Sequence, residues 1–170
     1  MAANQTLLDE ALEAWSDARL GALEEARNIP KRHWDYRPTP EVRSVRELVV
    51  HILEVAMMMT GELTRPDTDF NRAPWPDLLA GYADPVYRAN TRGDLLRLMR
   101  SQLSEGRAAF RRAGELHMLQ LIERFDGEKG TRLAWLHHGI AQEMYHRGQL
   151  ATYARLLGLV PALTQLIRAG

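Results

Sequence analysis

The chain has 170 residues, 45% hydrophobic and 26% charged, with 22 Lys and Arg balancing 22 Asp and Glu, and it has no cysteine. That length fits one domain with a real core and is too short for two. Zero formal charge argues against nonspecific attraction to nucleic acid or an anionic membrane, and the lack of cysteine excludes disulfides, thiolate metal sites and a cysteine nucleophile, so nitrogen and oxygen must hold any metal.

Met1 to Trp15 is polar and acidic, without a signal-peptide core. No apolar run approaches the ~18 residues of a membrane span, Val55 to Met59 being too short. A cytoplasmic protein is expected. Leu7, Leu8, Ala11, Leu12, Trp15, Ala18, Ala22, Leu23 and Ala26 recur at helical spacing and predict a first helix that ends before Pro30. Lys31 to Val42, with Pro38 and Pro40, is expected to be irregular. Ser44 followed by Glu47 is a capping box; it opens a second helix over Val45 to Leu63. Thr64 to Asn90 is rich in proline and forms a long connection with one helical turn near Asp77 to Ala80, a length that marks a functional or packed loop. Thr91 caps a third helix to about Ala113, where Gly114 can end it. Met118 to Phe125 is a short apolar, β-like run, and Asp126 to Gly130 a turn. Thr131 opens a fourth long helix to about Leu157, stopped by Gly158 and Pro161, and Pro161 to Ala169 reads as a short terminal helix. The pattern is all-α, a four-helix bundle in one domain over residues 1–170, with one long connection.

Two helices carry a histidine on or beside an apolar face. His51 has Leu48 and Val55 one turn either side. On the fourth helix Gln142 and His146 stand at i, i+4 and Glu143 and His146 at i, i+3, and both spacings can put two side chains on one ion. If the second and fourth helices face each other, His51 and His146 meet inside with Gln142 or Glu143 beside them. Nitrogen and oxygen ligands with open positions are the pattern of a catalytic metal rather than a structural one. Against this, a buried histidine is more often a hydrogen-bonded core residue than a ligand, and a neutral amide is a poor ligand beside imidazole or carboxylate. Glu143 has four readings: ligand, general base, partner that fixes a histidine tautomer, or solvated helix residue. His33, His117, His137 and His138 read as surface, and Arg97, Arg100, Arg107, Arg111 and Arg112 as a solvated face. Arg147 can pair with a carboxylate such as Glu54.

At these residues the chain resembles the DinB-like family of metal-binding four-helix bundles. The likeness runs through Trp34 to Pro38, Ser44 to Glu54, Phe125 to Glu128 and, most specifically, His146-Arg147-Gly148-Gln149-Leu150 followed by Tyr153, Leu156, Leu157, Gly158 and Pro161. The resemblance implies an up-up-down-down bundle, often a homodimer, with nickel, zinc or a similar ion held by three histidines, one from the second helix and two, four residues apart, from the fourth. His51 and His146 match two of these ligands; the third position falls on Gln142, a departure from the pattern. Relatives in the wider superfamily include S-transferases and isomerases that use mycothiol or bacillithiol, chemistry in which the ion lowers the pKa of a bound thiol. The first expectation is therefore a metal-dependent transferase joining a small-molecule thiol to an electrophile, in detoxification or stress response, with His51, Gln142 and His146 as ligands and Glu143 as base or supporting group. A non-catalytic stress-response binding bundle and a purely structural dimer are the alternatives.

Overall fold

Apolar residues at every third or fourth position become helices in the computed structural model, which describes residues 6–67 and 69–170. Met1 to Gln5, part of the stretch read for a targeting signal, and Thr68 in the long connection lie outside the described residues. In chain order the elements are α1 (Leu7–Asn28), a 3-10 turn (Lys31–His33), α2 (Val45–Thr64), α3 (Trp75–Tyr82), α4 (Asp84–Tyr87), α5 (Arg92–Ala113), α6 (Glu115–Met118), β1 (Leu121–Glu123), β2 (Lys129–Thr131), α7 (Arg132–Leu156) and α8 (Ala162–Ala169).

The helix starts follow the capping residues. Thr6 accepts from the Asp9 amide, Thr131 accepts from the Ala134 amide, and Ser44 with Glu47 and Thr91 with Asp94 form complete capping boxes. Such caps are worth about 1 kcal/mol each by satisfying otherwise orphaned amides. Gly114, at φ 84°, and Gly158, at φ 75°, end α5 and α7 in a backbone conformation that side chains disfavour. The connection between α2 and α5 is more structured than its prolines suggest: Pro74 and Pro85 sit at or beside the first turns of α3 and α4, where a missing amide costs nothing. The β-like run becomes an antiparallel hairpin, with Leu121 opposite Thr131 and Glu123 opposite Lys129.

Helix directions follow from who meets whom. The start of α1 lies by the end of α5, where Arg111 faces Asp9 at 3.6 Å. The other end of α1 lies by the start of α5, since Arg92 donates to the Arg27 carbonyl at 2.7 Å. The early part of α1 packs with the late part of α2, and the late part of α1 with the early part of α2. Arg46 of α2 reaches the Ala89 and Asn90 carbonyls just before α5, and Arg132 of α7 reaches the Leu63 carbonyl at the end of α2. Along the chain the long helices therefore run down, up, up, down. Around the bundle they are ordered α1, α7, α2, α5, so neighbours run down, down, up, up. The expected up-up-down-down arrangement holds around the perimeter and not in chain order. The physical reason is the long connection: it carries the chain back from the end of α2 to the start of α5 and makes those two helices parallel.

Two apolar clusters fill the bundle, one around Leu12, Trp15, Met59, Phe110 and Leu136, the other around Leu23, Trp34, Ile52, Met99 and Tyr153. Near mid-bundle a polar network joins the helices. Arg19 of α1, 0% exposed, pairs with Glu143 of α7, 2% exposed, and also donates to Gln102 Oε1 and the Met99 carbonyl of α5. Gln102 in turn reaches Thr60 of α2. His117, expected at the surface, instead places Nε2 2.9 Å from the Leu63 carbonyl and helps close the end of α2.

Candidate metal centre

α2 and α7 run antiparallel and face each other, which brings His51 to His146. Their ring centroids are 5.0 Å apart and their planes stand at 84°. His146 is 5% exposed, and the His51 side chain is 18% exposed. Each ring has one nitrogen turned to an oxygen. His146 Nδ1 is 2.6 Å from Gln149 Oε1, one turn further along α7. His51 Nδ1 is 3.9 Å from Glu54 Oε2, one turn further along α2. The Glu54 carboxylate also accepts from the Tyr87 hydroxyl of α4. Because an amide oxygen can only accept, Gln149 fixes the His146 tautomer with its proton on Nδ1 and the lone pair on Nε2. Among the described residues neither Nε2 has a protein hydrogen-bond partner.

Both rings are held neutral. Burial, then the charges of Arg43 and His146, push the His51 pKa down to about 4. Burial also lowers that of His146, outweighing the Gln149 bond that raises it, while Arg43 adds to the lowering. Neutral imidazole with a free Nε2 is the form that binds a metal.

Gln142 lies one turn before His146, and Gly139, one turn before Gln142, packs against Met59 of α2. Both Gln142 side-chain polar atoms, Oε1 and Nε2, are buried without a partner. An unmet buried amide costs on the order of 1–3 kcal/mol, so this side chain has an unused donor and an unused acceptor. The chemistry of these donors suits a divalent ion: two imidazole nitrogens and, one turn before His146, an orphaned amide oxygen, all of them neutral. Among the described residues no three His, Asp or Glu side chains converge, so no anionic ligand joins them.

Glu143 is a correction. Its Oε1 accepts from Trp15 Nε1 at 2.7 Å and Arg19 Nη2 at 2.6 Å, and its Oε2 accepts from Arg19 Nε at 2.8 Å. Both oxygens are committed to α1. The residue next to Gln142 points about 100° around the helix from it, and a carboxylate so occupied fits neither a ligand nor a general base. Arg147 does not reach Glu54 either; its guanidinium covers Gly21 of α1, where an added Cβ would come within 2.2 Å of it. His137 and His138 are exposed, as expected, with His138 against the Trp135 ring.

A cleft of about 530 Å³ opens one helical turn from the pair, between the 37–43 segment, the start of α2 and the last turns of α7, and neither histidine lines it. Glu47 and Leu48, one turn before His51, and Gln149 and Tyr153, beyond His146, line it together with Arg37, Glu41 and Arg43. Tyr153 fastens the segment, its hydroxyl donating to the Arg43 carbonyl at 2.9 Å while its ring meets Tyr36 edge-on at 5.9 Å.

The model of the DinB family matches residues 1–169. The chain belongs to the DinB family. Solved relatives share its fold. A DinB-like protein from Bacillus subtilis, YjoA, is 25% identical over 88% of this chain and 92% of its own, with a TM-score of 0.66. YfiT from Bacillus subtilis, a probable metal-dependent hydrolase with an unusual four-helix bundle topology, is 15% identical over 93% and 91%, with a TM-score of 0.67. The mycothiol-dependent maleylpyruvate isomerase is 13% identical over 85% of this chain and 61% of its own, with a TM-score of 0.66. No curated protein sequence matches this one.

For this DinB-family chain, sequence spacing brought out His51, Gln142 and His146 but passed over the residues around them. Gln149 was legible as i+3 from His146, and Glu54 as i+3 from His51. Arg43 and Tyr87 carried no signal, since one lies in an irregular segment and the other in a four-residue helix within the long connection.

Proposed function

We propose that this protein is a divalent-metal-dependent enzyme that joins a low-molecular-weight thiol to a small electrophile, in detoxification or stress response, with nickel or zinc as the ion. What supports the reading is the pair of neutral imidazoles, 5.0 Å apart with free Nε2 atoms, together with the orphaned Gln142 amide one turn before His146. His51 and His146 would hold the ion through Nε2, with Gln142 Oε1 as a weaker third donor. Bound there, the ion supplies Lewis acidity that lowers the pKa of a thiol. The protein's own contribution is positional. Gln149 holds the His146 ring, and Glu54, itself bonded by Tyr87, lies on the Nδ1 side of His51. The cleft nearby admits a small molecule, and the net reaction is an addition: the thiol S–H and the π bond of an activated alkene break, a carbon–sulfur bond forms, and the adjacent carbon takes the proton.

A second reading, a non-catalytic binding bundle, draws on the neutral third donor and on a Glu143 that is fully occupied. Calorimetric titration of nickel and zinc into protein purified without a tag separates the two, together with a thiol-consumption assay. The enzyme reading expects stoichiometric metal, tighter binding in Gln142→His because such ions prefer imidazole to a carbonyl oxygen, and loss of binding in His51→Ala and His146→Ala. Identical titrations for all four proteins would remove the site. Stoichiometric metal with no thiol consumption across a panel of electrophiles would favour the binding bundle.

A further inference from the structure

We infer that the cleft beside the histidine pair binds a carboxylate, and that Arg43 is the residue that recognises it. The inference rests on the proposed function insofar as it names the chemical class of a substrate entering that same site.

Four charged side chains line the cleft, and three of them are engaged with the protein. Arg37 Nη2 pairs with Glu47 at 2.9 Å, and the other Glu47 oxygen accepts from the Ser44 amide at 2.7 Å. The Glu41 carboxylate is hydrogen-bonded by Thr39 and by its own backbone. Arg43 remains, with no carboxylate partner among the described residues. Its side chain is exposed, while its backbone is fixed, because Tyr153 holds its carbonyl and Ser44, the next residue, caps α2. Its charge is felt at both imidazoles, where it opposes protonation. The cleft therefore presents one guanidinium without a carboxylate partner.

An arginine fork matches a carboxylate through two parallel hydrogen bonds. A phosphate dianion suits this cleft less well. It would sit near the Glu41 and Glu47 carboxylates, the first turn of α2 that borders the cleft is already capped by Ser44 and Glu47, and a single guanidinium leaves its second charge unmatched. A carboxylate carried on either the thiol or the electrophile would pair with Arg43 and leave the rest of that molecule facing His51 and His146.

The test uses chelator-treated protein, so that an anion cannot bind to metal. Propionate is titrated at pH 7 while the His51 and His146 ring signals are followed by NMR, with inorganic phosphate as the contrast. Saturable shifts are expected for propionate, weaker ones for phosphate, at least a tenfold loss of propionate affinity in Arg43→Gln, and partial retention in Arg43→Lys. Thermal unfolding of each variant confirms that it is folded. No saturable shift, unchanged affinity in Arg43→Gln, or tighter binding of phosphate than of propionate would overturn the inference. Because the metal titration is separate, propionate binding without metal binding would sink the proposed enzyme and leave this inference standing. In the conjugation assay, Arg43→Gln slowing mercaptoacetate but not 2-mercaptoethanol places the carboxylate on the thiol; slowing acrylate but not acrylamide places it on the electrophile.

Discussion

Replacing Glu143 by Gln separates a structural carboxylate from a catalytic one. The substitution keeps the shape and removes the charge that faces Arg19, which is 0% exposed. Leaving one member of a buried ion pair unpaired costs about 3–5 kcal/mol. Arg19 keeps its bonds to Gln102 Oε1 at 2.7 Å and to the Met99 carbonyl at 3.1 Å, and the new amide oxygen can still accept one bond, which places the loss near the lower end, at about 3 kcal/mol. For a domain of this size that lowers Tm by about 6–12 °C. The double variant Arg19→Met, Glu143→Leu removes both charges and should recover most of the loss, since apolar replacement of a buried pair is often neutral or stabilising. Urea unfolding of the parent, Arg19→Met, Glu143→Leu and the double variant supplies the full cycle, with Glu143→Gln measured beside it. Nickel affinity in Glu143→Gln should stay within about threefold of the parent, because the carboxylate is turned to α1. The reasoning fails if Glu143→Gln unfolds at the parental urea concentration. It also fails if turnover drops by the roughly hundredfold or more that loss of a general base brings while stability holds.

The histidine pair makes stability depend on pH. A His51 pKa lowered from 6.5 to about 4 means that the unfolded chain takes up a proton the folded chain refuses. Stability is then whole above the unfolded pKa and falls as pH drops from about 6.5 towards 4, by up to about 3 kcal/mol. His146 contributes in the same direction, so urea midpoints measured with chelator should fall between pH 7 and pH 4.5, and a flat profile would contradict neutral buried rings. Gly106 of α5 lies under Trp15, and a Cβ there would meet the indole Cη2 at 2.5 Å; since Glu143 holds that indole, Gly106→Ala should cost about 1–3 kcal/mol, and an unchanged Tm would show that Trp15 moves freely. A homodimer is expected through the face around α8, where Leu166 and Ile167 are each 71% exposed, an apolar area that would gain from burial. Light scattering should give twice the mass of 19.4 kDa for the parent and the single mass for Leu166→Glu, whereas a monomeric parent would refute the assembly.

The sequence by itself determined the four long helices and their ends. Period and caps are local properties, and Thr6, Ser44, Thr91, Thr131, Gly114 and Gly158 each act within a turn of where they stand. It also placed His51, Gln142 and His146 on faces able to meet, because helical spacing fixes a residue's direction about its own axis. Which helices face each other was decided only in the folded chain. The route of the long connection sets α2 parallel to α5 and antiparallel to α7, and no local pattern encodes that direction. The same packing decided between the readings of Glu143. Spacing allowed ligand, base, partner of a histidine or surface residue, and only the arrival of Arg19 and Trp15, separated from it by more than a hundred residues, tied its carboxylate to α1. Arg43 became visible for the same reason: an arginine in an irregular segment has no period to read, and its standing as the cleft's unpaired charge depends on Arg37, Glu41 and Glu47 having found other partners first.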